Sequence, residues 1–159
     1  MELAVPDTFA YLVGTWALER ELTDRLTNTT GRLHGTARVT PLAPPDGAKG
    51  EEAASLRAAY LEQGELEWGA HRLPAQRRLV YVRTGAGGVD ARFEDGRPFV
   101  LLDLSGGSCR AVHTCGEDLY EVELAARSPS LVEERWRVRG PAKRYEAVTI
   151  LRRQGAGTL

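Results

Sequence analysis

The sequence predicts an all-β protein: an antiparallel barrel of about ten strands behind a short N-terminal helix. Three observations carry that expectation. Apolar residues recur at every second position through most of the chain, the period of a strand with one face buried. Turn-forming residues interrupt these runs about every 10–15 residues, as in sandwiches and barrels. Residues 89–93 and 99–104 carry apolar groups on both faces, which suits a barrel with a partly polar lumen better than a sandwich with a dry core.

The bulk composition bounds the partners. A chain of 159 residues with 27% charged and 42% hydrophobic residues and a formal charge of −1 has the size and balance of one globular domain. Nucleic acid is a poor partner for it. The basic run Arg135, Arg137, Arg139, Lys143, Arg144 is interleaved with Trp136 and Val138, as on the solvated face of a strand. No apolar segment approaches the ~20 residues of a membrane span, and no secretory leader opens the chain. The expectation is a cytoplasmic protein without a membrane partner, its oligomeric state open. Asn28-Thr29-Thr30 matches a glycosylation acceptor but reads as turn chemistry. Cys109 and Cys115 would stand about 20 Å apart on one strand, beyond the roughly 7 Å a disulfide allows. They are expected to be free.

In chain order, residues 6–13 read as a helix with Pro6 near its start and Phe9, Leu12 and Val13 buried. Gly14-Thr15-Trp16 opens a strand in which Trp16, Leu18 and Leu22 alternate with Ala17, Glu19 and Glu21. After a turn at 28–31, Leu33, Ala37 and Val39 mark a second strand. Residues 41–50, with three prolines and two glycines, form a long surface loop. Residues 51–63 mix helix-favouring alanines with the alternation of Leu56, Ala58 and Tyr60, and Gly64 tips them toward a strand ending in a turn. Leu66, Trp68 and Ala70 alternate through 65–73, which Pro74 closes. Residues 78–84 are strongly β-prone. After a turn at 85–88 come Val89, Ala91 and Phe93, and Asp95-Gly96 signals a type I′ hairpin into 98–104. Gly106-Gly107 leads to a hairpin over 109–127. The pair 131–139 and 143–153 finishes a single domain, residues 1–159, whose tail from 154 is expected to fray.

The 109–127 hairpin is the richest in chemistry. Gly116 at the first central position is what a type II′ turn at Gly116-Glu117 requires. That register pairs His113 with Tyr120 and Cys115 with Asp118, so all four share one face. The face can be read as a hydrogen-bonded brace of the hairpin. It can be a ligand-recognition surface, with His113 donating and accepting and Tyr120 offering a rigid ring with a polar tip. Acid–base catalysis by His113 and Tyr120, with Asp118 favouring the charged imidazole, is a third reading. As a metal site the set lacks a fourth ligand, so no metal is expected. Cysteine-nucleophile chemistry lacks a group to lower the thiol pKa.

Elsewhere, Arg92 and Asp103 read as lumen groups, either orienting the polar end of a ligand or neutralising each other as an ion pair. Trp68, Tyr60 and Tyr81 could line a cavity or fill the core. Trp16 reads as structural. Phosphate-cradling loops, a Gly-x-Ser-x-Gly elbow and a Cys-x-x-Cys pair are absent.

Gly14-Thr15-Trp16 behind a short helix resembles the Gly-x-Trp opening of calycin barrels: lipocalins, fatty-acid-binding proteins and haem-binding nitrobindins. A longer string extends the likeness. It runs Phe9-x-x-Leu12-x-Gly14-Thr15-Trp16, Phe93-x-Asp95-Gly96-Arg97-Pro98-Phe99, Leu102-Asp103-Leu104 and His113-x-Cys115-x-x-Asp118-x-Tyr120. Trp136-Arg137-Val138-x-Gly140-Pro141-x-Lys143-x-Tyr145 and Thr149-x-Leu151-x-Arg153 complete it. Together these resemble an uncharacterised family, domain of unknown function 6314. The resemblance implies a calycin-like barrel and supplies no reaction. It also implies that Trp16 packs at the closed end against an arginine, for which Arg137 and Arg152 are candidates. The nitrobindin Tyr-Pro-Thr segment is missing, and the last histidine, His113, has 46 residues after it, so their haem ligand near the C-terminus has no counterpart. No cofactor is expected, haem being the one group the resemblance raises.

The functional expectation is binding of a small, partly apolar molecule in the lumen, with His113, Cys115, Tyr120, Arg92 and Asp103 as ligand contacts. The alternative is a cofactor-independent isomerase, cyclase or lyase in the same pocket, with His113, Tyr120 and Asp118 catalytic. A filled barrel serving as an interaction module is the third possibility.

Overall fold

The computed structural model describes residues 1–155. The elements are α1 (Thr8–Leu12), β1 (Gly14–Asp24), β2 (Thr29–Leu42), α2 (Glu51–Ala54), β3 (Arg57–Trp68), β4 (His71–Arg83), β5 (Val89–Arg92), β6 (Pro98–Leu102), β7 (Ser108–Cys115), β8 (Asp118–Ser128), β9 (Leu131–Arg139) and β10 (Arg144–Arg153). All ten strands belong to one antiparallel sheet in the order β6-β5-β4-β3-β2-β1-β10-β9-β8-β7. Every neighbour is also a neighbour in sequence except β1 and β10, whose pairing brings the ends of the chain together. The sheet curls until β6 meets β7, which makes a nearly closed barrel with a seam no strand ladder crosses.

Period-two patterning supplies the inner face. Trp16 and Leu18, Ala37 and Val39, Ala58 and Tyr60, Leu79 and Tyr81, Val122 and Leu124, Val132 and Trp136 are all buried, and they meet in one core. The helix plugs one end. Asp7 caps α1 by accepting from the Ala10 amide at 3.0 Å, and Phe9 and Leu12 are buried beneath it. The preceding segment is sewn on by Leu3 N to Ala126 O at 2.7 Å and Val5 N to Leu104 O at 2.8 Å.

Trp16 anchors this plug, donating its indole N–H to Leu12 O at 2.9 Å. The arginine over its ring, at 4.2 Å from the centroid, is Arg153 rather than Arg137 or Arg152. The register explains it. Arg153 is the direct partner of Trp16 across β1 and β10, whereas Arg152 lies one residue off and Arg137 is exposed between buried Trp136 and Val138. Arg153 also donates to Val13 O at 3.0 Å and to Tyr11 O.

Several sequence expectations needed correction. Gly64 is no turn: β3 runs through it and turns at Gly69. It is paired with Gly35 of β2, where a Cβ on Gly35 would lie 1.9 Å from Gln63 O. The two glycines let the backbones close up. Pro74 sits inside β4 because β5 pairs only with residues 80–83, leaving the other edge of β4 free where a missing N–H costs nothing. Asp95-Gly96 is not a type I′ turn. Only Gly96 has positive φ (91°), Phe93 N bonds Arg97 O, and the pairing shifts at Ala91/Arg92. Residues 51–54 form α2 before the strand begins. At the C-terminus, Gln154 N is tied to Thr15 O at 2.9 Å, and the rest of the expected tail beyond residue 155 lies outside the described residues.

Candidate functional site

Halfway along the lumen the inner face changes from apolar to charged. Arg20 follows Trp16 and Leu18 on the inward side of β1, Glu62 follows Tyr60 on β3, Arg77 precedes Leu79 on β4, and Glu134 lies between Val132 and Trp136 on β9. Arg20 grips Glu62 with two parallel hydrogen bonds of 2.9 and 2.8 Å, and its Nε donates to Thr149 Oγ1 at 2.7 Å. Arg77 Nη2 donates to the same Glu62 oxygen at 3.0 Å, and the Tyr60 hydroxyl donates to it as well. Glu134 completes the group 3.6 Å from the Arg20 guanidinium. Tyr81 stacks on Tyr60 at 5.0 Å.

Burial alone would raise the Glu62 carboxyl, but the Arg20 hydrogen bonds and the Arg77 and Tyr60 contacts outweigh it and hold it down at about 2. Arg20 and Arg77 are likewise held firmly protonated, the pairing with Glu62 overcoming their desolvation. Burial pushes both tyrosines up, reinforced by Glu62 at Tyr60 and Glu134 at Tyr81. Two guanidinium groups balance two carboxylates, so this floor is neutral as a whole. Among the described residues, three buried side-chain atoms find no hydrogen-bond partner: Arg77 Nε, Glu134 Oε1 and Trp136 Nε1.

On the side away from α1, the floor opens into two adjoining hollows of about 210 and 200 Å³ that share Arg20, Leu22 and Arg77. Leu33, Leu66 and Ala75 wall the first. Phe99, Tyr120, Trp136, Val138, Tyr145 and Ala147 wall the second.

The hairpin residues sit at the rim of this end. β7 and β8 have the expected register, His113 opposite Tyr120 and Cys115 opposite Asp118, and Gly116 turns with φ 60°. The four do not form one network. His113 Nδ1 lies 3.1 Å from Phe99 O across the β6–β7 seam, with its ring edge-on to Phe93, Phe99 and Tyr120. Tyr120 accepts instead from Lys143 Nζ at 3.2 Å, and Lys143 pairs with Asp118 at 3.1 Å. These two contacts hold the lysine protonated well above its ordinary value. Gly140 makes room for this clamp, since a Cβ there would fall 1.8 Å from Asp118 Oδ1. Cys115 is exposed; Cys109 is half-buried, its thiol pushed up by burial, and both are free.

Arg92 and Asp103 are not lumen groups. The buried residues of β5 and β6 are Val89, Ala91, Val100 and Leu102, so the alternate side carrying Arg92 faces out. Arg92 pairs with Asp90 at 2.6 Å, and exposed Asp103 accepts from Ser105 N. Trp68 lies at the end of β3, half-buried. The charged floor escaped sequence reasoning, although a signal exists: each member is a charged residue in phase with the apolar side of its own strand. Among the described residues no group of three His, Cys, Asp or Glu could hold a metal ion, and no helix is long and apolar enough to cross a membrane.

A ten-stranded antiparallel barrel, plugged by a short helix and anchored by a first-strand tryptophan beneath a C-terminal arginine, is a calycin-like barrel. Within that class, the chain belongs to the family of unknown function DUF6314, whose profile matches residues 12–153. Among solved structures, the S-type phycobiliprotein lyase CPES from Guillardia theta is similar, with a TM-score of 0.72 at 13% identity, covering 98% of this chain and 95% of that one. At that identity the likeness concerns the fold. No curated protein matches the sequence.

Proposed function

We propose that this protein binds a small, partly apolar molecule in the barrel lumen, its polar end toward Arg20, Glu62 and Arg77. The observation that carries the reading is the joining of two apolar-walled hollows above a buried charged floor. A barrel meant only to be filled has no use for ions in its middle, because well-packed apolar residues do as well or better for stability. Together the hollows fall in the lower part of the roughly 300–1,000 Å³ range of small-molecule sites. The similar fold of a protein named as a lyase supports a calycin-like barrel of this kind handling a small molecule. The two free thiols fit a reducing, cytoplasmic setting.

The second reading is a cofactor-independent isomerase, cyclase or lyase using His113 and Tyr120 for proton transfer. Tyr120 favours it, because it walls the second hollow and stands 3.2 Å from the Lys143 ammonium. His113 is less well placed, with Nδ1 engaged by Phe99.

Native mass spectrometry of protein purified from its own cell tests the binding reading. A small-molecule adduct is expected on the native chain and lost from Leu22→Trp, which fills the shared part of both hollows. An adduct retained by a folded Leu22→Trp variant would place the ligand elsewhere.

A further inference from the structure

We propose that the ligand group seated on the lumen floor is an uncharged hydrogen-bond acceptor, such as a ketone, lactone or amide carbonyl, received by Trp136 Nε1–H and Arg77 Nε–H. The proposal rests on the lumen-binding reading and narrows it to a ligand class.

Two observations converge on it. The first is a pair of unclaimed donors. Trp136 and Arg77 come from opposite sides of the barrel, β9 and β4, and both line the same hollow of about 200 Å³. The indole and guanidinium N–H groups that lack acceptors belong to these two residues. Trp136 is only 8% exposed, and its ring stacks on Phe99 at 5.4 Å with planes 10° apart. The indole therefore cannot swing its N–H out to bulk solvent without losing that stack. A buried donor left unmade costs roughly 1–3 kcal/mol, and native proteins rarely keep one without a partner. An acceptor entering this hollow comes into a space that both residues line.

The second observation is that no unclaimed charge lines this hollow, whose charged walls are Arg20 and Arg77. Glu62 already accepts from Arg20, Arg77 and Tyr60, and Glu134, whose Oε1 has no hydrogen-bond partner, lies against Arg20 and does not line this hollow. At the mouth, Lys143 is paired with Asp118. A carboxylate brought to this floor would be desolvated without a free cation to offset it, and an ammonium would meet two donors rather than an acceptor. A carbonyl oxygen satisfies both N–H groups and leaves the floor neutral.

The test uses four probes with one naphthalene body: naphthalene, 2-acetonaphthone, 2-naphthoate and 2-naphthylmethylammonium, titrated calorimetrically at neutral pH. The ketone is expected to bind tightest, roughly tenfold better than naphthalene for two hydrogen bonds. Trp136→Phe keeps an aromatic ring on Phe99 and removes the donor. It should weaken the ketone about three- to tenfold while leaving naphthalene unchanged. Arg77→Lys, which keeps the charge and removes Nε, should show the same contrast. Because each ratio is taken within one variant, a partial loss of folding cannot imitate it. A tightest-binding naphthoate, or a ketone no better than naphthalene, would overturn the uncharged-acceptor proposal and leave lumen binding standing. An equal loss for both probes in both variants would overturn the role of the two donors. Failure of all four probes to bind would remove the lumen reading along with it.

Discussion

Replacing Glu62 by Gln is the most direct probe of the buried floor. The side chains of Glu62 and Arg20 are 4% and 11% exposed, so little solvent screens their pairing. In the folded chain the carboxyl is held at about 2 against an ordinary 4.5. A depression of that size is worth about 3 kcal/mol at neutral pH. The folded state keeps Glu62 ionised where the unfolded chain would already take up a proton. Stability is therefore complete above pH 4.5 and drains away as pH falls from there toward about 2. Glu62→Gln keeps the shape but leaves two guanidinium groups sharing Glu134, and removing one partner of a buried pair costs roughly 3–5 kcal/mol. That is a large fraction of the roughly 5–15 kcal/mol that holds a domain together. Urea denaturation followed at several pH values is the assay. The native chain should outlast Glu62→Gln by several kcal/mol at pH 7, with the gap narrowing below pH 4.5. The double variant Arg20→Met with Glu62→Leu leaves Arg77 to Glu134 and should recover most of the stability, as apolar replacement of buried pairs often does. A Glu62→Gln variant within about 1 kcal/mol of the native chain at neutral pH would falsify the buried network.

Three further outcomes follow from other parts of the barrel. His113→Ala removes the contact to Phe99 O and one ring of the seam cluster. It should lower stability by about 1 kcal/mol or somewhat more, with lumen affinity nearly unchanged; a large affinity loss at unchanged stability would return His113 to the site. Gly35→Ala drives a Cβ to 1.9 Å from Gln63 O, and equilibrium denaturation should register a loss of roughly 1–3 kcal/mol or more. Wild-type stability there would mean that β2 and β3 stand farther apart. Iodoacetamide should modify exposed Cys115 well before half-buried Cys109, whose thiol burial pushes up. Peptide mapping that recovers a Cys109–Cys115 disulfide would contradict the continuous strand β7.

Strand identity and the β7–β8 register were legible because local chemistry decides them. Gly116 alone sets which residue faces His113, and no tertiary contact needs to be known. Gly64 and Pro74 misled for the opposite reason. A glycine required for close approach to Gly35 and a proline tolerated on a free strand edge look the same in sequence as two turn residues. Arg92 and Asp103 were placed in the lumen because the Asp95-Gly96 register put them on one face and β6 offers apolar groups on both sides, so alternation there could not choose the inner one. The charged floor was harder still. Arg20, Glu62, Arg77 and Glu134 are spread over 115 positions of a chain with 42 other acidic, basic and histidine side chains, and only barrel closure shows that they meet.

The seam between β6 and β7 changes what kind of container this is. A barrel bonded all the way round has a circumference fixed by its strand number and stagger. Here the hoop is cut once, and its ends are fastened by a clasp of rings, Phe93, Phe99, His113 and Trp136, with one imidazole–carbonyl contact among them. Widening the hoop beside these rings therefore breaks no strand ladder; it parts the imidazole–carbonyl contact and slides aromatic faces past one another. Phe99 belongs both to the clasp and to the wall of the second hollow. A guest that presses on Phe99 presses on the fastening itself, so the girth of the vessel is set in part by what it holds.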